Sequence, residues 1–259
     1  MGLKMIHSTA IIDPDAKIGT DVKIGAYSII NKATIGDNTT IAPHAVIGDN
    51  TIIGKNNKIY EFACIGGEPQ DLKYQGEPTY LEIGNNNIMR EYSTMNRGTI
   101  DGNSKTIVGN NNLFMEYTHV AHDCVVKNNV VLSNSSAIAG HVTVDNFATI
   151  GGFSAIHQFS AIGKYAFIGF SSAVNRNIPP FIKVAGNHAK ALGINKVGLQ
   201  RHGFSNETIK NLHKFYLKYI KSRAPVAERY QAISQIIQKC PDAADLYEFI
   251  KTSNRPIVR

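Results

Sequence analysis

The sequence predicts a mainly β fold, a parallel β-helix of hexapeptide repeats, followed by a C-terminal α-helical domain. Three observations support this prediction. An apolar residue returns at every sixth position up to Val174, a small residue follows it four positions later, and the pattern stops before Pro179-Pro180. A period of six fits neither the 3.6 of an α-helix nor the 2 of an alternating strand, but it is typical of a hexapeptide solenoid.

The apolar positions form long series. In the central part of the chain they are Val108, Phe114, Val120, Val126, Leu132, Ile138, Val144, Ile150, Ile156, Ile162, Ile168 and Val174. Near the start the same step runs from Ile6 to Ile30, slips by one residue, and resumes from Ile35 to Ile65. Three hexads make one triangular coil, so residues about 18 apart should stack at the ~4.8 Å strand spacing.

Small side chains such as Ala45, Ser136 and Ala166 occupy the second inward position of each hexad. Glycine often follows the apolar residue directly, as in Ile47-Gly48, and we expect glycine or asparagine to tolerate the unusual dihedrals at the corners. The rival interpretation is a β-sandwich, which predicts turns every 8 to 12 residues or so. It leaves the period of six unexplained.

Two segments interrupt the hexads and define the domain organisation. Residues 66–82 (GGEPQDLKYQGEPTYLE) and 97–106 (RGTIDGNSKT) are rich in proline, glycine and charge, so they are predicted to project from the coil as loops. Loops on a rigid scaffold often carry binding residues. The predicted domains are a β-helix over 1–186 with these two loops, and a helical domain over 187–259.

The C-terminal part shows helix signals and a basic charge. Ser205 can cap a helix over ETIKNLHKFYLKYIK, Pro225 can open a second helix to about Lys239, and Pro241 a third. Residues 187–259 hold 13 basic and 5 acidic side chains, whereas residues 1–186 hold 14 and 15. We therefore expect a cap on the open end of the solenoid that also binds an acidic partner.

Other sequence features limit the possible functions. Three cysteines at wide spacings imply no disulfide framework and suit a reducing cytoplasm. The N-terminus lacks an apolar signal-peptide region, and no stretch approaches the ~20 apolar residues of a membrane span. No phosphate-binding glycine motif is present, so cationic side chains would have to hold any nucleotide phosphates.

The stretch HVAHDC at 119–124 stands out chemically. In the hexad register Val120 and Cys124 point inward, which gives Cys124 an ordinary explanation as a small buried residue. His122 should then face outward or lie at a corner. Stacking by 18 places Gly140 beside His122, and His141 beside Asp123.

The same stacking brings His119, His157 and Gln158 to adjacent coils. Three chemistries can use such a cluster, besides a plain polar surface. Metal binding needs two to four converging ligands, covalent catalysis needs a nucleophile that is not well placed here, and general-base catalysis needs an imidazole with an orienting acceptor. His122 with Asp123 suits the last, and the Gly140 amide could face an oxyanion.

Several motifs together resemble a known family. They are QDLKY (70–74), HVAHDC (119–124), AGHV (139–142), GG and HQF (151–159), PPF, GNHA (186–189) and GLQRHGFS (198–205). The hexads resemble the left-handed β-helix acyltransferases, and this ordered set is similar to the UDP-N-acetylglucosamine O-acyltransferases that begin lipid A biosynthesis. The similarity covers essentially the whole chain.

The resemblance implies a cytoplasmic homotrimer without a cofactor or metal, with active sites between subunits. It would transfer a 3-hydroxyacyl chain from acyl carrier protein to the glucosamine 3-hydroxyl of UDP-N-acetylglucosamine; no nucleic acid is expected as a partner. His122 would be the general base, Asp123 its helper and Gly140 the oxyanion donor. The implied substrate-binding residues are Asp71, Lys73, His119, His141, His157, Gln158, Asn195 and Arg201.

Three positions bear on specificity. Phe170 falls where the family limits the length of the acyl chain, which predicts a medium-length donor. Val197 and His202 depart from the family pattern, where an acid and an arginine are expected, and leave open an amino-modified sugar nucleotide as acceptor. The alternatives are the N-acyltransferase of the same pathway, a zinc carbonic anhydrase on the same coil, and a non-catalytic scaffold trimer.

Overall fold

The computed structural model describes residues 6–259 and shows a triangular parallel β-helix with a helical cap. Within that range the strands form three faces of nine, eight and ten strands. Face 1 contains Ile11–Ile12, Ile29–Ile30, Val46–Ile47, Cys64–Gly67, Thr94–Asn96, His119–Val120, Ala137–Ile138, Ala155–Ile156 and Ala173–Val174.

Faces 2 and 3 complete each coil. Face 2 contains Lys17–Ile18, Thr34–Ile35, Thr51–Ile53, Tyr80–Ile83, Lys105–Val108, Val125–Val126, Thr143–Val144 and Ala161–Ile162. Face 3 contains Lys23–Ile24, Thr40–Ile41, Lys58–Ile59, Ile88–Met89, Leu113–Phe114, Val131–Leu132, Thr149–Ile150, Phe167–Ile168, Ile182–Ala185 and the antiparallel Lys190–Ile194. Because most strands are two residues long, most residues of each hexad lie in the corners between strands.

The strand register confirms the predicted stacking. Val120 pairs with Ile138, and Ile138 with Ile156, at a step of 18 residues. At the predicted slip the step is 17, since Ile18 pairs with Ile35. The inward residues of these strands are buried in one continuous core, so burial of apolar area stabilises the coil along its length.

The corners correct one expectation. The third residue of most corners has a left-handed backbone, and here it is usually asparagine, aspartate, serine or an aromatic residue, as at Asp123 (φ 59°) and His141 (φ 61°). The glycine that follows the apolar residue has a different reason to be there. A Cβ on Gly36 would lie 2.5 Å from the carbonyl carbon of Gly54 in the next coil, so close backbone approach, rather than dihedral freedom, requires glycine.

Both projecting segments leave the same corner, between face 1 and face 2. They run over 68–79 and 97–104, and are shorter than predicted because Tyr80–Ile83 and Lys105–Val108 pair as strands. Arg97 is buried and joins the two segments: its guanidinium donates to the Gly66 carbonyl (2.9 Å) and to the Tyr74 hydroxyl (3.0 Å).

Four helices follow the solenoid: α1 (Lys196–Arg201), α2 (Asn206–Phe215), α3 (Val226–Lys239) and α4 (Pro241–Thr252). A π-helical turn, Tyr216–Ile220, extends α2. The Ser205 side chain caps α2 by accepting from the Thr208 amide at 3.0 Å, and Pro241 opens α4, as predicted. Helix α1 was not predicted.

The predicted domain boundary at 186/187 stays a prediction. The first five residues of the predicted β-helix domain lie outside the described range. Face 3 continues past it through Lys190–Ile194 before α1 begins. None of the helices within residues 6–259 has the length and apolarity that crossing a membrane requires.

Candidate active site

One corner of the prism, which we call the His122 corner, collects most of the predicted site. It joins face 1 to face 2 in five successive coils, through segments 68–79, 97–104, 121–124, 139–142 and 157–160. The first two are the projecting segments, and the other three carry the histidine cluster. The coil spacing therefore stacks these chemically active residues in one column.

His122 and Asp123 form a close pair at this corner. The His122 Nδ1 lies 2.9 Å from the Asp123 Oδ2, whereas the His141 Nε2 lies 3.8 Å from the same oxygen. Asp123 thus orients His122 rather than His141, which decides a question that the stacking argument left open. With Nδ1 engaged, Nε2 is the ring nitrogen left to exchange a proton with a substrate.

The Asp123 carboxylate is buried, and protein groups donate hydrogen bonds to both of its oxygens. Segment 97–104 supplies the Thr99 hydroxyl to Oδ2 (2.7 Å), the Thr99 amide to both oxygens (3.1 Å each) and the Asn103 amide to Oδ1 (3.0 Å). Burial by itself raises the pKa of Asp123, but the hydrogen bonds from His122, Thr99 and Asn103 outweigh it and hold the pKa below its ordinary value. The carboxylate is therefore ionised at neutral pH.

Gly140 lies directly against the His122 ring. A Cβ at this position would come within 2.7 Å of the His122 Cε1, so any larger residue would displace the imidazole. The Gly140 amide hydrogen-bonds to no other group among residues 6–259. It is therefore a free backbone donor beside the predicted base, although Gly140 is buried under the ring, so an oxyanion would have to approach it alongside the imidazole.

Two further histidines flank the pair. His119 points outward from face 1, half-buried, with its Nδ1 2.7 Å from the Thr94 hydroxyl. Burial, and then the proximity of His122, lower the pKa of His119, so it stays neutral at physiological pH. His141 stacks on Phe159 in the next coil, with ring centroids 4.4 Å apart.

Cys124 is an inward core residue, as predicted. It is fully buried, and its thiol lies 3.1 Å from the Ala139 carbonyl oxygen. Burial raises the pKa of this thiol to about 12, so almost none of it is the reactive thiolate at neutral pH.

Three side chains at this corner are close enough together to be considered as metal ligands. Ligand atoms of His122, Asp123 and His141 all lie within 4.8 Å of one another. However, both oxygens of Asp123 already accept N–H or O–H donors, and a carboxylate has about four acceptor sites in total. The arrangement therefore suits an oriented imidazole better than a metal centre.

The other predicted binding residues fall into two places. His157 and Gln158 are exposed at the His122 corner, two coils below His122. Asp71 and Lys73 lie in segment 68–79, where they border a shallow cavity of about 160 Å³ together with Thr99. These four residues share the corner with the base.

Asn195 and Arg201 lie elsewhere in the chain. They border a cavity of about 570 Å³ over face 3, whose lining residues are Phe147, Thr149, Phe167, Lys183, Ile194, Asn195, Lys196, Val197, Gly198, Arg201 and His202. The Asn195 side chain also caps α1, accepting from the Gly198 amide at 3.1 Å. We call this the Asn195 cavity. It opens on a different side of the prism from the His122 corner.

The two residues that depart from the family pattern border the same cavity. Val197 is exposed there. The His202 ring packs edge-on against Phe147 (5.0 Å between centroids) and Tyr165 (5.3 Å).

Phe170 lies at the corner between face 3 and face 1. Its side chain is 70% exposed and meets Phe153 of the preceding coil edge-to-face, with centroids 5.5 Å apart. Between this corner and the His122 corner, face 1 presents only small outward side chains in the last coils, namely Ala137, Ala155 and Ala173.

The sequence did not reveal several residues that shape the site. Thr99, Asn103 and Arg97 belong to a segment that interrupts the hexads, and counting by 18 cannot be carried through it. Phe159 is different, since it lies 18 residues after His141 and the stacking rule could have placed it there.

Comparisons with known proteins agree with this architecture. A family model described as Udp N-acetylglucosamine O-acyltransferase, Domain 2, matches residues 177–258, and a model described as GMPPB C-terminal domain matches residues 2–108. The acyl-[acyl-carrier-protein]–UDP-N-acetylglucosamine O-acyltransferase of Janthinobacterium sp. (strain Marseille) is 44% identical, over 99% of this chain and 100% of that protein.

Solved structures are equally similar. LpxA from Acinetobacter baumannii superposes with a TM-score of 0.95 at 44% identity, covering 99% of this chain and 100% of the other. UDP-N-acetylglucosamine O-acyltransferase from Moraxella catarrhalis RH4 gives 0.95 at 42% identity, covering 98% and 100%.

A left-handed parallel β-helix of hexapeptides, with a histidine–aspartate pair at one corner and a helical cap, defines a hexapeptide-repeat acyltransferase. The sequence identity of 44% to the Janthinobacterium protein, over 99% of this chain, then identifies the family within this class. The chain belongs to the UDP-N-acetylglucosamine O-acyltransferase family.

Proposed function

We propose that the chain transfers a 3-hydroxyacyl group from acyl carrier protein to the glucosamine 3-hydroxyl of UDP-N-acetylglucosamine, the first step of lipid A biosynthesis. The observation that carries the proposal is the His122–Asp123 pair, with a free Gly140 amide against the imidazole. Two relatives that match 99% of the chain at 44% identity are named acyl-[acyl-carrier-protein]–UDP-N-acetylglucosamine O-acyltransferase, which supports the proposal.

The proton transfer follows from the orientation of His122. Its Nδ1 faces the ionised Asp123, so Nε2 accepts the proton of the sugar hydroxyl as the oxygen attacks the thioester carbonyl. The imidazolium that forms lies against a negative carboxylate, which stabilises it without taking its proton.

The rest of the reaction is acyl transfer. A carbon–oxygen bond forms to the sugar, the carbonyl oxygen becomes an oxyanion, and the Gly140 amide is the nearest free backbone donor to stabilise it. Collapse of the intermediate breaks the carbon–sulfur bond, and His122 returns its proton to the leaving thiolate. The acyl ester and the free carrier thiol are the products.

We place the complete site between two subunits of a trimer. The His122 corner lies between faces 1 and 2, whereas the Asn195 cavity lies over face 3, and this separation supports a site assembled from two copies. Two copies can bring them together, and a cyclic trimer does so three times with the same contact. Asp71, Lys73, His119, His141, His157 and Gln158 would then come from one subunit, and Asn195 and Arg201 from its neighbour.

The carrier protein would dock on the helical cap. Lys210, Lys214, Lys218 and Lys221 are all exposed, and the first two border a cavity of about 510 Å³ whose floor includes Leu192 and Ile209. Acyl carrier proteins are strongly acidic, so this basic surface suits them electrostatically. The alternative is an ordinary solvated helix face.

Phe170 would end the path of the acyl chain. The small side chains of face 1 leave room for a chain between the His122 corner and Phe170, and the exposed phenylalanine ring occupies the far corner beside Phe153. This arrangement favours a donor of medium length.

One reaction tests the proposal. The purified protein is incubated with medium-length 3-hydroxyacyl carrier protein and UDP-N-acetylglucosamine, thiol release is followed, and the sugar product is identified by mass spectrometry. We expect one O-acylated sugar nucleotide per thiol released. Thiol release without an acylated sugar, or no release at all, would refute the proposed function.

A further inference from the structure

Segment 97–104 has a role at the site that its position outside the hexad pattern conceals. Three of the four donors to the Asp123 carboxylate come from this segment, and the fourth is His122. Thr99 contributes twice, through its amide and through its hydroxyl, and it is 5% exposed. From these contacts we infer that Thr99 is a positioning residue, which fixes the charge and orientation of Asp123 and through it the basicity of His122.

The short hydroxyl contact is the specific part of this inference. The Thr99 Oγ1 lies 2.7 Å from Oδ2, the same oxygen that His122 Nδ1 contacts at 2.9 Å. The two donors therefore share one acceptor atom. A hydrogen bond from Thr99 withdraws negative charge from the side of the carboxylate that faces the imidazole, and it holds the carboxylate plane in place.

The same segment is tied to the predicted acceptor-binding segment 68–79. Arg97 donates to the Gly66 carbonyl and to the Tyr74 hydroxyl, and Lys73 lies 3.6 Å from the Asp101 carboxylate. These contacts hold segments 68–79 and 97–104 against each other beside Asp123.

The shared oxygen determines the direction of the expected shift. His119 and His141 also face the pair, and both are unchanged in a Thr99 variant. Without the Thr99 hydroxyl, more of the carboxylate charge acts on His122, which favours the protonated imidazole. The base is then free only at higher pH, so the acid limb of the kcat profile should move upward. A carboxylate that is less firmly held also orients the imidazole less well, which lowers kcat.

The chain offers a matched control. Thr106 is a buried threonine on the strand that follows the segment, and its hydroxyl has no hydrogen-bond partner within residues 6–259. Thr99→Val and Thr106→Val therefore remove the same hydroxyl group from two buried sites close in sequence, but only the first removes a contact with Asp123. Thr99→Ser keeps the hydroxyl and serves as the conservative rescue.

The inference rests on the proposed acyl transfer, and the experiment keeps the two apart. Wild type, Thr99→Val, Thr99→Ser and Thr106→Val are assayed with the carrier-bound donor and the sugar nucleotide from pH 5 to pH 9 or so, and their unfolding is monitored by circular dichroism. We expect Thr99→Val to lose roughly 10-fold to 100-fold in kcat, the range found for the hydrogen-bond partners that orient metal-ligating histidines and carboxylates. Its acid limb should shift to higher pH, while KM for the acceptor changes only a few-fold.

The four proteins give different results depending on whether Thr99 positions Asp123. Thr99→Ser should restore both kcat and the profile, and Thr106→Val should match wild type in both. If Thr99→Val folds and its pH profile matches that of Thr106→Val, the positioning role is wrong. If Thr99→Val fails to fold, a Thr99→Ser enzyme with wild-type kcat and a wild-type pH profile supports the role, whereas a low kcat with an unshifted profile overturns it. An inactive wild type would instead refute the proposed function.

Discussion

At the scale of single residues, the reactivity of the site depends on how one buried carboxylate is solvated. Asp123 is 2% exposed, an environment that by itself favours the neutral acid, yet hydrogen bonds from four donor groups keep it charged. The sequence predicted that Gly140 lies beside His122, because neighbours at an 18-residue step follow from the hexads alone, but it left open whether Asp123 orients His122 or His141. It did not predict the donors that keep Asp123 ionised.

Replacing His122 tests the general base. In His122→Ala, turnover should fall by roughly 10²–10⁴, the usual contribution of a positioned base. The protein should stay folded because the ring lies at a corner rather than in the coil interior. Steady-state kinetics with circular dichroism as the folding control measures this. Activity within a few-fold of wild type would show that another group removes the proton.

Cys124 should behave as a core residue and not as a nucleophile. With a pKa of about 12, its thiol should resist alkylation by iodoacetamide in the native protein at pH 8, where deprotonation of a free cysteine is already appreciable. Cys124→Ala should retain nearly full kcat. Mass spectrometry after alkylation reports the first effect. A folded but inactive Cys124→Ala enzyme would restore covalent catalysis as a hypothesis.

Phe170 should set the preferred chain length. Each methylene denied burial forfeits about 0.8 kcal/mol, so exclusion of two to four methylenes biases selection by roughly one order of magnitude or more. Phe170→Gly should shift the product profile toward longer acyl chains when donors of several lengths compete in one reaction. An unchanged profile would mean that Phe170 does not limit the chain. Phe153→Ala, at the neighbouring corner position, is the matched control for a general loss of packing.

At the scale of elements, regular and irregular parts of the chain differ in how well the sequence predicts them. The coils follow from a local rule repeated many times, and helices α2, α3 and α4 follow from Ser205, Pro225 and Pro241. Helix α1 has only six residues, too few to show an apolar period, and it is fixed by the Asn195 cap. The projecting segments have no period at all, so only the folded chain shows that both leave the His122 corner.

The basic face of α2 and its extension should recruit the carrier protein. The double variant Lys210→Glu, Lys214→Glu reverses two charges one helical turn apart. It should raise KM for the carrier-bound donor and flatten the salt dependence of that KM, because an attractive long-range interaction has been removed. The KM for UDP-N-acetylglucosamine should not change. If neither the donor KM nor its salt dependence changes, these lysines form only a solvated surface.

At the scale of the whole molecule, the proposed reaction needs the residues of the His122 corner and those of the Asn195 cavity to act at one site. The hexads predicted the solenoid and the histidine cluster on it, but a single sequence carries no direct sign of how copies of the chain meet. The structure of one chain gives indirect evidence of how copies could meet. It places Asn195 and Arg201 over face 3 and His122 at the corner between faces 1 and 2, which supports our proposal that an acceptor touching both groups lies between two copies.

A subunit-mixing experiment tests whether one site takes residues from two subunits. His122→Ala and Arg201→Ala are each nearly inactive as pure trimers on this account, and co-expression lets them assemble together. A site that takes its base from one subunit and its Arg201 from the next is intact in about a quarter of cases in randomly mixed cyclic trimers. Co-expressed protein should therefore regain a substantial fraction of wild-type turnover. Mixed trimers, verified by differential tags, with no more activity than the two parents would contradict a shared site and place the whole reaction within one chain.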